Sequence, residues 1–247
     1  MTLETFFREV PRAAVAFSGG TDSAFLLWAA KKQGCQIQAY YIHTAFQPRF
    51  ELEDARRLAG ELGIPMQVID MDILGVPEAA QNGPRRCYYC KRALFTRLRE
   101  QAAKDGYTVL LDGTNASDEA GDRPGMRALA ELSVRSPLRE CGLTKAEIRA
   151  RSKEAGLFTW DKPAYACLAT RVPAGEAITA DLLARVEGAE DALFRLGYTD
   201  FRVRVFHSAA RLQLPRGQME RAVREAEELR QALKPYFTPI LLDLEGR

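Results

Sequence analysis

Apolar and polar positions along the chain alternate between short β-type runs and longer helical stretches. Residues 12–17 (Arg-Ala-Ala-Val-Ala-Phe) carry a buried-strand pattern, and residues 24–30 (Ala-Phe-Leu-Leu-Trp-Ala-Ala) a helical one. The pattern then predicts a strand over 36–42, a helix over 51–62 and a strand over 66–69, the last introduced by the helix-ending Gly63-Ile64-Pro65. A helix over 91–104 leads to a further strand over 108–111. Such alternation predicts an α/β fold, a parallel sheet with helices on both faces. Ligands of these sheets bind outside the carboxyl ends of the strands. That singles out residues 18–23, 43–44, 70–72 and 112–115.

The character changes near Trp160-Asp161-Lys162-Pro163, after a helix opened by the capping box Thr144-Lys145-Ala146-Glu147. Arg171-Val172-Pro173-Ala174-Gly175 reads as a connector. Beyond it the pattern predicts a helix over 179–196, strands over 201–206 and 212–214, a helix over 218–233 and a last strand over 240–243. Two domains are therefore expected: residues 1–172, Rossmann-like, and a smaller α+β domain over residues 173–247.

Between the first strand and the first helix lies Ser18-Gly19-Gly20-Thr21-Asp22-Ser23. A strand turning through two glycines into a helix presents backbone N–H groups at a positive helix end, a cradle for phosphate. Ser18 and Ser23 add hydroxyl donors. Asp22 suits a phosphate site only with a divalent cation such as Mg²⁺ between them. No Gly-Lys-Ser/Thr follows, so this is not a Walker loop, and the third glycine of the dinucleotide fingerprint is missing. The stretch resembles the SGGxDS signature of PP-loop ATP pyrophosphatases; the bland alternative is an ordinary Gly-Gly turn. Asp112-Gly113-Thr114-Asn115 and Asp122-Arg123-Pro124-Gly125 lie at or soon after the ligand edge, which favours a binding role for Asn115 and Arg123 over plain surface turns.

Composition narrows the setting. With 47% hydrophobic and 28% charged residues in a chain of 247, a sizeable core can form. No apolar run reaches the ~18 residues of a membrane span, and the first residues lack the pattern of a signal peptide, so a cytoplasmic protein without a membrane partner is expected. A net charge of +2 argues against a dedicated nucleic-acid binder. The five cysteines, read in a reducing compartment, suggest metal binding or catalysis rather than disulfides.

Cys87-Tyr88-Tyr89-Cys90, flanked by Arg85, Arg86 and Lys91, is a C-x-x-C whose cationic neighbours favour thiolate. A zinc site needs four ligands, and no second pair or suitably spaced His pair is present. A thioredoxin-type pair would follow the first strand of its domain. With Cys167 the set is three cysteines, which suggests a [4Fe-4S] cluster with one iron open. Cys35 and Cys141 read as structural.

Taken in order, the PP-loop, Asn82-Gly-Pro-Arg-Arg-Cys-Tyr-Tyr-Cys-Lys91, Asp112-Gly-Thr-Asn115, Asp122-Arg-Pro-Gly125, Ser136-Pro-Leu138 and Lys162-Pro-Ala-Tyr-Ala-Cys-Leu-Ala-Thr-Arg171 resemble the LarE family. These are ATP-dependent sulfur transferases that make the nickel-pincer nucleotide of lactate racemase. The resemblance implies ATP and Mg²⁺ as cofactors, adenylation of a carboxylate of pyridinium-3,5-biscarboxylic acid mononucleotide, release of pyrophosphate, and replacement of the adenylate by sulfur. It implies that Ser18 to Ser23, Asn115 and Arg123 bind ATP, that Asp22 also holds Mg²⁺, and that Cys167 is the sulfur-donating residue. Members with only that cysteine give up its own sulfur; members that add the C-x-x-C use a cluster on three cysteines, fed by a sulfide donor. Arg202-Val203-Arg204 resembles the family's phosphate-binding element, while the bland reading is an exposed basic strand face. Glu190 and Glu220 are candidate acidic catalytic residues. The family often ends the next element Ala-Arg-Ile-Glu, whereas this chain has Ala210-Arg211-Leu212-Gln213, which leaves the role of position 213 open. A homo-oligomer, trimeric or hexameric, is implied as well.

Three other readings compete: a PP-loop tRNA thiolase, an amide-forming PP-loop synthetase with incidental cysteines, and a non-catalytic nucleotide or cluster carrier. Salt-sensitive tRNA binding would favour the first, and activity without Cys87 and Cys90 the second. Failure to release pyrophosphate with any carboxylate would favour the third.

Overall fold

A computed structural model describes residues 1–118 and 124–247. In chain order its elements are α1 (Leu3–Glu9), β1 (Arg12–Ala16), α2 (Thr21–Lys32), β2 (Gln36–His43), α3 (Arg49–Glu61), β3 (Met66–Asp70), α4 (Pro77–Ala80), α5 (Arg86–Lys104) and β4 (Leu110–Leu111). There follow α6 (Pro124–Glu131), α7 (Pro137–Glu140), α8 (Lys145–Glu154), α9 (Ala180–Arg195), β5 (Arg202–Phe206), β6 (Ala209–Gln213), α10 (Arg216–Arg224), α11 (Ala226–Leu233) and β7 (Ile240–Leu242). The chain forms two compact units, residues 1–76 with 87–164 and residues 77–86 with 165–247. Among the described residues no helix is long and apolar enough to cross a membrane.

The first unit is the expected α/β fold, a parallel sheet in the order β3-β2-β1-β4. Its strands bury both faces, and their period of two sorts side chains between two apolar layers. Ala13, Val15, Ile37 and Tyr41 belong to one layer with Phe25, Leu26 and Leu27 of α2. Ala14, Tyr40, Ile42 and Ile69 belong to the other, with Leu98 and Ala102 of α5. The chain leaves β1 for β2 on one side and returns to β4 on the other, so strand order reverses at β1. Such a reversal opens a crevice at the carboxyl ends of the diverging strands. The loops there are residues 17–20 after β1 and 112–115 after β4.

Two glycines let these loops meet. Gly19 has φ +72°, and a Cβ there would stand 2.9 Å from the Glu51 carbonyl oxygen. At Gly113 a Cβ would come within 2.9 Å of the Ser23 backbone nitrogen and 3.1 Å of its Cα. Main chain cannot rotate out of the way as a side chain can.

The second unit is a three-stranded sheet, β5-β6-β7, with a β5–β6 antiparallel hairpin and a parallel β6–β7 pair. Val203, Val205 and Leu212 are buried, as are Leu183, Val186 and Leu193 of α9. The helix expected over 218–233 is two helices, broken at Glu225 with φ −94° and ψ 19°. The hairpin turns at His207, φ +54°, which starts β6 three residues earlier than the strand expected from Leu212.

The close approach at residue 113 gives a first prediction. Gly113→Ala lowers stability by about 1–3 kcal/mol in urea unfolding, and it weakens nucleotide binding measured by calorimetry, because the β4 loop must retreat from α2.

Candidate functional site

The site in the first unit begins at α2. Its N-cap residue is Gly20, and no side chain caps the helix, so first-turn N–H groups face the crevice. The loop is braced from within: Ser18 N–H donates to Ser23 Oγ at 3.3 Å, the two hydroxyls stand 3.1 Å apart, and Ser23 Oγ donates to the Gly20 carbonyl at 3.2 Å. Thr21 Oγ1 is committed to the Thr159 carbonyl at 2.8 Å, which holds the start of α2 to the segment after α8. A cavity of about 340 Å³ opens over this loop. Ser18, Gly20, Asp22 and Gly113 form its polar floor, and Tyr40, Phe95 and Leu98 are among its apolar walls. Polar floor and apolar wall match a phosphate chain attached to a planar base.

Asp22 is held on one side only. Its Oδ2 accepts from Lys145 Nζ at 2.7 Å, while Oδ1 is buried without a hydrogen-bond partner. An unpartnered buried carboxylate oxygen beside a phosphate cradle is the donor a hard cation such as Mg²⁺ takes, so this residue fits the ion the sequence implied. Lys162 donates to Asp54 at 2.7 Å and approaches the Gly19 carbonyl at 3.4 Å. Asp112 accepts from Ser136 Oγ at 2.6 Å and from Thr114 Oγ1. Asn115 is buried, and its side-chain oxygen accepts from Ser117 N–H at 2.8 Å. Its side chain thus shapes the loop. Tyr41, also on the cavity wall, has a buried hydroxyl without a partner, and burial pushes its phenol pKa up. Arg123 lies outside the described residues.

Cys87 and Cys90 lie near the start of α5, at the i, i+3 spacing that places two side chains on one helix face. Cys87 is exposed and Cys90 half-buried. Cys167 belongs to the second unit, half-buried before the turn Leu168–Arg171. Among the described residues no cluster of three or more His, Cys, Asp or Glu side chains is gathered to hold a metal ion.

The second unit is organised around an ion pair that is shut off from water. Arg171 and Glu190 are each 1% exposed, with Arg171 Nε donating to Glu190 Oε1 at 2.9 Å and Nη2 to Oε2 at 3.1 Å. Burial alone would lower the pKa of Arg171, but the hydrogen bonds and charge of Glu190 outweigh it and raise it. Glu190 also accepts from the Val203 N–H at 2.9 Å and from the Tyr165 hydroxyl. Arg171 Nη1 reaches the Ala166 carbonyl at 2.7 Å and the Cys167 carbonyl at 3.3 Å. One pair therefore binds the segment around Cys167 to β5. Arg202 and Arg204 share a face of β5, the first buried and the second half-buried. Burial, with Arg171 and Arg247 nearby, brings the pKa of Arg202 down to about 10. Burial and the charges of Arg171, Arg211 and Arg247 lower that of Arg204 too. A face crowded with like charge calls for an anion. Glu220 does not join this group: it is exposed on α10 and pairs with Arg224 at 3.1 Å.

Sequence reasoning brings Glu190, Arg202 and Arg204 to this unit but misses Lys145, Tyr165 and Arg171 as parts of the sites. Lys145 meets Asp22 across 123 positions of chain, and no local pattern announces that. Arg171 stands four residues from Cys167, and only its burial reveals what it does.

The buried pair yields a prediction. Glu190→Leu strands the Arg171 charge and costs about 3–5 kcal/mol, whereas Glu190→Leu with Arg171→Met recovers most of that loss. Urea unfolding followed by far-ultraviolet circular dichroism measures both.

Known proteins resemble this chain in sequence. The family profile of the queuosine biosynthesis protein QueC matches residues 12–80, the stretch containing the Ser18–Ser23 loop. An uncharacterized protein of Synechocystis is 40% identical over 250 residues, covering 99% of this chain and 92% of its own length. The tRNA-specific 2-thiouridylase MnmA of Beijerinckia indica is 28% identical over 61% of this chain and 44% of its own. Pyridinium-3,5-bisthiocarboxylic acid mononucleotide synthase of Lactiplantibacillus plantarum is 33% identical over 248 residues, which is 99% of this chain and 90% of the synthase. With that extent of identity, and with a PP-loop at the switch point of its parallel sheet, the chain belongs to the LarE family of PP-loop enzymes.

Proposed function

We propose that the protein is an ATP-dependent sulfur transferase that converts the carboxylates of pyridinium-3,5-biscarboxylic acid mononucleotide into thiocarboxylates. The observation that carries this reading is the uncapped start of α2 under a nucleotide-sized cavity, with Asp22 offering an unpartnered oxygen beside it. The similarity to the synthase supplies the substrate class.

A carboxylate resists attack by sulfur because its carbon is electron-rich and its leaving group would be oxide. Adenylation removes both obstacles: a carboxylate oxygen attacks the α-phosphorus of ATP, the bond to pyrophosphate breaks, and an acyl adenylate forms. The α2 N–H groups with Ser18 and Ser23 would hold the departing pyrophosphate. Asp22, backed by Lys145, would hold Mg²⁺, which when bound neutralises phosphate charge. The Tyr41 hydroxyl would find its missing partner on the nucleotide. Arg202 and Arg204 would grip the phosphate of the substrate. Sulfide then adds at the acyl carbon and AMP leaves, a step that is redox-neutral.

Cys87, Cys90 and Cys167 would ligate a [4Fe-4S] cluster, whose soft iron suits thiolate donors. When bound, the cluster would carry on its open iron a sulfide taken from an external donor, so that its own four sulfides are not consumed. Glu190, committed to Arg171 and to the Val203 N–H, would act by positioning Cys167 and Arg202 rather than by moving a proton.

Three measurements test this reading. Asp22→Asn lowers substrate-dependent pyrophosphate release at least about a hundredfold. Anaerobically purified protein is brown with about four irons per chain, and Cys87→Ala, Cys90→Ala and Cys167→Ala each lose the colour. Colourless protein in which Cys167 alone loses the mass of its sulfur in one turnover would replace the cluster with sacrifice of that residue. Arg202→Met raises the Kd for the substrate at least about tenfold in calorimetry, because a charge-assisted contact to the substrate phosphate is lost.

A further inference from the structure

The β5–β6 register sets Arg202 opposite Gln213 and Arg204 opposite Arg211. All four side chains lie on one sheet face, since alternate residues share a face. Two guanidiniums directly across a strand pair repel, so Arg204 needs an acceptor elsewhere to hold its direction. It finds one on the diagonal: Arg204 Nε donates to Gln213 Oε1. Gln213 Nε2 in turn donates to Asp243 Oδ2 at 2.8 Å, just beyond β7. A primary amide can face either way, but here its orientation is dictated. A guanidinium only donates and a carboxylate only accepts, so the amide oxygen must turn to Arg204 and the amide nitrogen to Asp243. Arg204 Nη1 then donates to the Thr170 carbonyl at 2.8 Å. Thr170 closes the turn on Cys167, donating from N–H at 3.0 Å and from Oγ1 at 2.8 Å to the Cys167 carbonyl.

We infer that the Asp243–Gln213 pair is a positioning device for Arg204, linking the face that takes the substrate phosphate to the turn that carries Cys167. Gln213 is neutral, so it orients Arg204 without cancelling its charge, and the guanidinium keeps its full attraction for an anion. A carboxylate at 213 would orient Arg204 equally well but neutralise it and face Asp243 as a like charge. The role of Arg204 as a phosphate ligand rests on the function proposed above; its grip on Thr170 does not.

The test uses the full chain with inorganic phosphate as probe, reading phosphate affinity by calorimetry and hydrogen exchange in the peptide spanning residues 165–173. Gln213→Leu raises the phosphate Kd about tenfold and speeds exchange in that peptide about tenfold, while exchange in α9 is unchanged. Phosphate slows exchange in the peptide of the parent but not of this variant. Gln213→Glu with Asp243→Asn reverses the polarity of the outer bond while restoring both contacts. Exchange then returns to the parent rate, while phosphate binding stays weak because Arg204 is neutralised. Parent-like exchange in Gln213→Leu, or a double variant no slower than Gln213→Leu, overturns the inference. If the single variant also loosens α9, the double variant decides. Arg202→Ala separates the two readings. If it leaves phosphate binding intact while Gln213→Leu still speeds exchange, the phosphate site is wrong and the relay stands. If it abolishes phosphate binding while Gln213→Leu changes neither readout, the relay alone is wrong.

Discussion

At residues 19 and 113 a side chain would force the backbone apart, and the first unit is arranged around that constraint. The Glu51 carbonyl oxygen and the Ser23 backbone nitrogen each stand 2.9 Å from where a Cβ would be, so the main chain packs directly against both residues. Gly19 gives the loop after β1 its left-handed turn against α3, and Gly113 lets the loop after β4 rest on the first turn of α2. Everything else positions that junction. The strand order brings the two loops to one crevice, the two apolar layers fix the strands, and Thr21 anchors the helix start to Thr159. Asp22 is the exception, a half-buried carboxylate with one oxygen satisfied by Lys145 and the other buried without a partner.

The second unit solves a different problem, holding several guanidiniums out of water on one small sheet. Glu190 satisfies Arg171 in a bidentate pair and also takes the Val203 N–H, so a single carboxylate secures both the segment of Cys167 and strand β5. Such a pair contributes less to net stability than a well-packed apolar core would. What it provides is a defined geometry: the Ala166 and Cys167 carbonyls point at Arg171, and the Thr170 carbonyl points at Arg204. Burial, and then the neighbouring guanidiniums, lower the pKa values of Arg202 and Arg204, and their positive charge is the attraction available to an anion.

Much of this was legible in the sequence, for reasons that differ by residue. The β1–α2 junction shows itself because a β-type run, two glycines and a helical run are adjacent, and glycine has few other reasons to be there. The parallel sheet follows from the alternation of elements. Helix α1 carries Leu3, Phe6 and Phe7 at helical spacing behind the capping Thr2, with Val10 just past its end, a pattern readable in the sequence. The break at Glu225 has no glycine or proline to mark it. The C-x-x-C is evident in the sequence, but its place at the start of α5 is not, since the pattern predicts a helix from Lys91 and the observed one begins at Arg86. The pairings Asp22–Lys145, Arg171–Glu190 and Gln213–Asp243 join residues 123, 19 and 30 positions apart. Only the fold brings such residues together, which is why position 213 gained a role once its neighbours were known.

The first unit thus offers what activation of a carboxylate by ATP needs, and the second offers a cysteine held in place beside a cationic face. In the proposed function the chemistry begins with attack of a substrate oxygen on the α-phosphorus. The most direct measurement is transfer of ¹⁸O from pyridinium-3,5-biscarboxylic acid mononucleotide labelled in its carboxylates, followed by mass spectrometry of the nucleotide products with sulfide present. One ¹⁸O atom in AMP for each thiocarboxylate formed, with unlabelled pyrophosphate, is the result this account predicts. Label absent from AMP, or ADP and phosphate as the products, would contradict it.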